Sequence, residues 1–144
     1  MADDSALLDL FRRHKRGVLV TLKRDGRPQL SNVAYEYATN ADLGVLRISV
    51  TDDRAKTRNL RRDPRASFHV TTNDMWAYAV AEGTADLTPV AADAGDPTVE
   101  ELVGLYRAVR GEHPDWDEFR RAMVDERRLV IRLPIDRVYG MSGS

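Results

Sequence analysis

The run VLVTLKRDGRPQLSNVAYEY, Val18 to Tyr37, holds two alternating segments around one turn signal. Val18, Val20 and Leu22 alternate with Leu19, Thr21 and Lys23, the period of a strand, and Asp25-Gly26 follows at once. Asp-Gly accepts the positive φ of a tight hairpin turn, so a second, antiparallel strand is expected from about Arg27 to Tyr37. Its two faces are both mixed, Gln29, Ser31, Val33 and Tyr35 against Leu30, Asn32 and Ala34. Hydroxyls and amides in such a strand bond neighbouring strands or water more readily than a ligand.

The same period recurs outward from this hairpin. Leu46, Ile48 and Val50 alternate with Arg47, Ser49 and Thr51, giving a third strand with one core face and one polar face after a turn over Thr39 to Gly44. Ala66, Phe68 and Val70 alternate in a fourth strand. In a fifth, Trp76, Tyr78, Val80 and Glu82 form a large face and Ala77, Ala79 and Ala81 a small one, with Gly83 expected as a bulge or bend. Leu129, Ile131 and Leu133, then Val138 and Tyr139, close the series. Three helices are expected outside the basic run Arg54 to Arg65. Asp4 or Ser5 caps one with Leu7, Leu8 and Phe11 on one side; Asp96-Pro97 starts one with Val99, Leu102, Val103 and Tyr106 inward and its acids in solvent; Asp115 starts one with Trp116, Phe119 and Met123. Short strands in hairpin order with helices inserted late predict a mainly β protein with helices, an antiparallel barrel rather than a doubly wound sheet. Neither G-x-G-x-x-G nor G-x-x-x-x-G-K-[ST] occurs.

At 144 residues, with 42% apolar and 31% charged residues and a formal net charge of −1, the chain reads as one globular domain over residues 1–144 and not as a nucleic-acid coat. It has no cysteine, which excludes disulfides and thiolate chemistry. No apolar segment approaches the roughly 18 residues that span a bilayer, and the N-terminal Met-Ala-Asp-Asp-Ser lacks a leader pattern, so a cytoplasmic protein is expected. His14, His69 and His113 lie in no metal-ligand spacing, and no nucleophile elbow occurs, so no metal site is expected.

Charge is segregated. Arg54 to Arg65 carries six basic residues against one acid, whereas Asp93 to Glu118 is acidic. Asp52 or Asp53 is expected to cap a helix whose first turn holds Arg54, Ala55, Lys56 and Thr57 and which Pro64 ends. Unpaired N–H groups and added cations at a helix start suit a phosphate or carboxylate, although a solvated basic face has the same composition. With no acid-base or nucleophilic machinery evident, any chemistry would belong to a bound cofactor.

The series Gly26-Arg27-Pro28-Gln29-Leu30-Ser31-Asn32, then Arg54-Ala55-Lys56-Thr57-Arg58-Asn59-Leu60-Arg61-Arg62-Asp63-Pro64-Arg65-Ala66-Ser67, resembles the pyridoxamine 5′-phosphate oxidase-like split-barrel family, and within it the branch that uses the deazaflavin coenzyme F420. The likeness continues through Trp76 to Ala85, Leu105-Tyr106-Arg107 and Val138-Tyr139-Gly140. It implies a six-stranded antiparallel split β-barrel (the FMN-binding split barrel) that forms a homodimer, with cofactor grooves at the subunit interface. It also implies that Arg54, Lys56 and Thr57 meet the cofactor phosphate and that Ser49 and Val50 lie along the ring system. Gln29 and Ser31 would contact the ring or its side chain, Asn59, Arg61 and Arg62 the remainder of the tail, and Trp76 and Tyr78 would come from the second subunit. The loop Thr39 to Gly44 is longer than this branch leads one to expect.

FMN carries one phosphate, whereas coenzyme F420 adds glutamate carboxylates, so the row Arg54, Arg58, Arg61 and Arg62 favours F420 at about 1.5 to 3 kcal/mol per shielded contact. The resemblance thus implies an F420-dependent reductase passing a hydride to an electron-poor small molecule. An FMN-dependent oxidoreductase and a non-enzymatic F420 carrier are the alternatives, and a nucleic-acid role for the basic run fits the near-neutral charge least.

Overall fold

The computed structural model describes residues 4–40 and 42–143; Ala41, in the turn expected over Thr39 to Gly44, and the first three residues of the N-terminal segment lie outside them. Helix α1 (Asp4–Arg13) precedes strands β1 (Arg16–Leu22), β2 (Pro28–Ala34), β3 (Glu36–Ala38) and β4 (Val45–Thr51). Helix α2 (Ala55–Arg62) leads to β5 (Arg65–Thr71), β6 (Tyr78–Thr84) and β7 (Asp86–Leu87). Helices α3 (Pro97–Arg110) and α4 (Trp116–Asp125) stand before β8 (Arg128–Pro134) and β9 (Arg137–Met141). All pairings are antiparallel, in sheets of order β2-β1-β5-β6-β9 and β3-β4-β8-β7. The mainly β, antiparallel reading holds, but in place of six strands in a barrel the described residues form nine strands in two sheets that do not close into one.

The strand expected from Arg27 to Tyr37 is where the sheets part. It leaves the five-stranded sheet at Ala34 and joins the other at Glu36. Tyr35 at the break is 1% exposed, donates its hydroxyl to the Phe11 carbonyl at 2.7 Å and packs on the Phe68 ring at 4.9 Å. Burial pushes its phenol pKa up, so the hydroxyl stays a donor.

The core lies between the sheets. Leu19, Phe68, Ala79 and Ala81 meet Leu46, Ile48, Leu129, Ile131 and Leu133, with Leu7, Leu10 and Phe11 of α1 packed against them. Each large side chain buried there contributes roughly 1.5 to 3 kcal/mol. The small face of β6 is thus its core face, and Trp76 precedes the strand in an exposed turn. Gly83 makes no bulge. It pairs in register with Ala66, and a Cβ there would stand 2.2 Å from the Pro134 carbonyl oxygen, so the end of β8 requires glycine.

A second core, Val99, Leu102, Phe119 and Met123 against Val130, holds α3 and α4 to the outer face of the four-stranded sheet. Asp96 accepts from the Val99 amide and Asp115 from the Glu118 amide, the caps expected from sequence. The acids of α3 do not all face solvent. Glu101 accepts from Arg47 Nε at 3.1 Å and Arg132 Nε at 3.0 Å, tying the helix to β4 and β8 and holding its own carboxyl below the usual range.

Two measurements test this packing. Gly83→Ala is expected to lower unfolding free energy in urea by about 1 to 3 kcal/mol, the range for overpacking. Because the Glu101 carboxyl is depressed in the folded state, its contribution is present above its ordinary value of 4.5 and is lost as pH falls below it. Urea midpoints of Glu101→Gln should therefore lie below those of the parent at neutral pH and converge with them on acidification.

Candidate functional site: a basic groove between the sheets and the late helices

Helix α2 begins without a side-chain cap. Arg54 occupies the cap position with extended backbone (φ −72, ψ 149), and neither expected aspartate serves. Asp52 is drawn away by Arg61 at 2.7 Å and Arg127 at 3.1 Å, which lower its pKa, and Asp53 accepts from the Thr51 hydroxyl at 2.8 Å. First-turn N–H groups without an acceptor suit an anion. The helix is fastened from below instead. Thr57, fully buried, donates to the Thr51 carbonyl at 2.8 Å. Asn59 donates to Thr21 Oγ1 at 3.1 Å and Gln29 Oε1 at 3.3 Å, and Arg62 donates to Asn59 Oδ1 and to the Leu22 carbonyl.

Above this clamp lies a groove of about 510 Å³. Asn32, Ser49, Thr51, Arg54, Lys56 and Arg128 line its polar side, and Leu102, Leu105, Tyr106, Val109, Phe119 and Met123 its apolar side. Four of its lining residues are cationic and none is acidic. Burial, then the charges of Arg54 and Arg128, hold the Lys56 pKa below its ordinary value. Arg128 also donates to Ser49 Oγ at 3.2 Å and to Glu126 at 2.9 Å. A preformed cavity with a few convergent polar groups and one depressed lysine has the character of a small-molecule site for an anion.

Of the residues singled out from sequence, Arg54, Lys56, Ser49 and Val50 come together in this groove. Thr57 lies beneath it, and Gln29, Asn59 and Arg62 form the clamp. Arg61 is paired with Asp52 and Arg62 is bonded to the Leu22 carbonyl and Asn59 Oδ1, so the row of free arginines is not present; of the later three, Arg58 is the one with neither an ion pair nor a side-chain hydrogen bond among the described residues. Ser31, Trp76 and Tyr78 do not line the groove. Arg128, Asn32 and Tyr106 do, although sequence reasoning assigned them no role there. Only the register Thr51↔Arg128 brings Arg128 beside Lys56, and no local signal carries that pairing.

The pyridoxamine 5′-phosphate oxidase family model matches residues 4–142, nearly the whole chain. The chain belongs to that family. Among solved structures, an F420 reductase is 25% identical with a TM-score of 0.66, covering 91% of this chain and 94% of that one. A conserved hypothetical protein of Mycobacterium tuberculosis shares the fold at TM-score 0.74 and 22% identity, over 98% and 85% of the two chains. A FAD-binding protein of Mesorhizobium loti does so at TM-score 0.67 and 17% identity, over 96% and 92%.

Anion binding should follow the protonation of Lys56. Its ammonium loses its proton at lower pH than an ordinary lysine, so affinity for sulfate, an anion whose charge is constant over this range, is expected by calorimetry to fall as pH rises from 7 toward 10. Lys56→Ala should weaken binding about tenfold at pH 7 and flatten that part of the profile.

Proposed function

We propose that this chain is an F420-dependent reductase that passes a hydride to an electron-poor small molecule, an enone or quinone, and that it acts as a cytoplasmic homodimer. The observation that carries this reading is the cluster Arg54, Lys56 and Arg128 beside an uncapped helix start, with no acidic residue in the groove. That donor set suits a phosphodiester, and the end of β4 with Ser49 and Val50 forms the adjoining side. Among the described residues no group of three or more histidines and acids gathers as a metal site, and no helix is long and apolar enough to cross a membrane.

Bound in this groove, the reduced deazaflavin supplies the hydride. The chain's own part is binding and orientation: Arg54, Lys56 and Arg128 fix the anionic end, Ser49 is held by Arg128, and the α3–α4 side excludes water. The engagement of Arg61 and Arg62 leaves Arg58 as the run's one later arginine for a glutamate tail. The same observation favours a second reading, FMN, whose single phosphate needs only the cradle.

The dimer reading is supported by the outward face of the five-stranded sheet. Leu30, Tyr139 and Met141 are 63%, 48% and 54% exposed there, and register aligns them with Val20, Val80 and Tyr78. Apolar side chains exposed at both edges of one sheet face suit an interaction surface. Asn32, two residues beyond Leu30 on the same face, also lines the groove, so a partner on that face would stand at the groove's mouth with its Trp76 and Tyr78 available to it.

Titrating the protein into oxidised coenzyme F420 is expected to change the deazaflavin fluorescence saturably, with at least tenfold weaker binding for Lys56→Ala. Unchanged fluorescence at high protein concentration, or a protein purified yellow with FMN, would sink the F420 reading. In sedimentation equilibrium the parent should be dimeric and Leu30→Glu shifted toward monomer.

A further inference from the structure

Resting on the reductase reading, we infer that the apolar side of the groove receives a ring-bearing acid, its hydrocarbon body along α3 and its carboxylate beside Arg110. Leu102, Leu105, Tyr106, Val109 and Arg110 recur along α3 at one face and all line the groove. Leu102 and Leu105 close the inner end of this stripe, so its open part runs from Tyr106 to Arg110, about 6 Å at 1.5 Å of rise per residue, enough to lie along an aromatic ring. Its burial falls steadily outward. Leu102 and Leu105 are core residues at 1% and 5% exposure, Tyr106 and Val109 are half-buried, and Arg110 is exposed. Phe119 of α4 meets Tyr106 edge to face at 5.0 Å, so the half-buried part of the wall is aromatic.

The charge at the outer end distinguishes this wall from plain core. Arg107, in the same helical turn, is occupied by Glu112 at 2.8 Å and lies over the Trp116 ring at 4.7 Å. Arg110 has no carboxylate partner among the described residues, since none of the ion pairs includes it. Lys15, whose Nζ donates to the Val109 carbonyl at 3.3 Å, does not line the groove, so Arg110 is the groove's one cation at this end. Arg110 belongs to a different element from the phosphate cradle, the last residue of α3 rather than the start of α2 or of β8. The groove therefore offers one cationic group at the helix α2 start and another at the end of α3, with apolar surface between. A ligand set of matching pattern has one anion at each, and an uncharged substrate leaves Arg110 without a partner.

The test uses 2-naphthoate and its neutral isostere 2-naphthamide, with binding followed by calorimetry on the full chain, first without cofactor and then with saturating coenzyme F420. The acid is expected to bind about five- to tenfold more tightly than the amide. Arg110→Gln, an exposed substitution that leaves the core untouched, should erase that preference, and Val109→Trp, which fills the wall, should weaken both ligands. Lys56→Ala should retain the preference. Equal affinities for acid and amide overturn the proposal. So does a preference that survives Arg110→Gln, or one lost in Lys56→Ala, which would put the acid in the phosphate cradle. Binding insensitive to Val109→Trp overturns it as well, since the ligand would then lie on another surface. Failure of F420 to bind while the Arg110-dependent preference persists would remove the cofactor reading and leave this one standing.

Discussion

Asn59 is 6% exposed, in a helix of eight residues that is too short to be stable alone. Its amide must find partners inside the protein, and it does so on three sides: Thr21 from β1, Gln29 from β2, and Arg62 one turn on in its own helix. A buried polar group left unpaired costs about 1 to 3 kcal/mol, so this network fixes α2 against the hairpin in one position. Thr57 adds a bond to the end of β4. The start of the helix, with Arg54 and Lys56, is then held at the groove by Thr21, Gln29, Thr57 and Asn59, which do not line it.

That rigidity matters because the groove is electrostatically uncomfortable. Arg54, Lys56 and Arg128 are brought together while nearby acids are committed elsewhere, Asp52 to Arg61 and Arg127, Asp63 to Arg65, and Glu101 to Arg47 and Arg132. Asp63 shows how strong such local pairing is, its carboxyl held at about 2 by Arg65. Arg128 keeps Glu126 within reach, and Asp53, bonded to the Thr51 hydroxyl, lies near enough to Arg54 to feel its charge. Like charges held together against repulsion, on elements that cannot relax, form a site prepared for an anion.

Much of this was legible in the sequence. The Asp25-Gly26 hairpin, the β4 and β5 alternation, and the Asp96 and Asp115 caps are local signals, and the structure follows them. The sheet switch at Tyr35 was not, because it is driven by packing on Phe11 and Phe68, which are distant in sequence. Nor was the fate of Asp52, which the capping rule assigns to α2 and which Arg127 draws away from the far side of the chain. On β1 the alternation was plain but its phase was ambiguous: Leu19 and Thr21 face inward, and Val18 and Val20 outward. For the candidate site, Arg54, Lys56, Ser49 and Val50 could be named from the sequence, whereas Arg128 needed the β4–β8 register.

The basic run shows why composition alone under-determines such a site. Six cations in twelve residues look like one surface, yet their roles are divided by where acids, amides and carbonyls fall, and from Arg58 onward Arg58 alone is left without a side-chain partner among the described residues. Arg61 goes to Asp52, Arg62 to Leu22 and Asn59, and Arg65 to Asp63, while Arg54 and Lys56 face a groove with no acid in it. The same logic applies to α3, where one apolar stripe serves as core at Leu102 and as open wall at Val109 because the burial falls away along it. Periodicity identifies which residues share a face, but only the neighbouring elements decide how much of that face remains uncovered. In this protein the uncovered parts of two faces, the start of α2 and the end of α3, border the same groove.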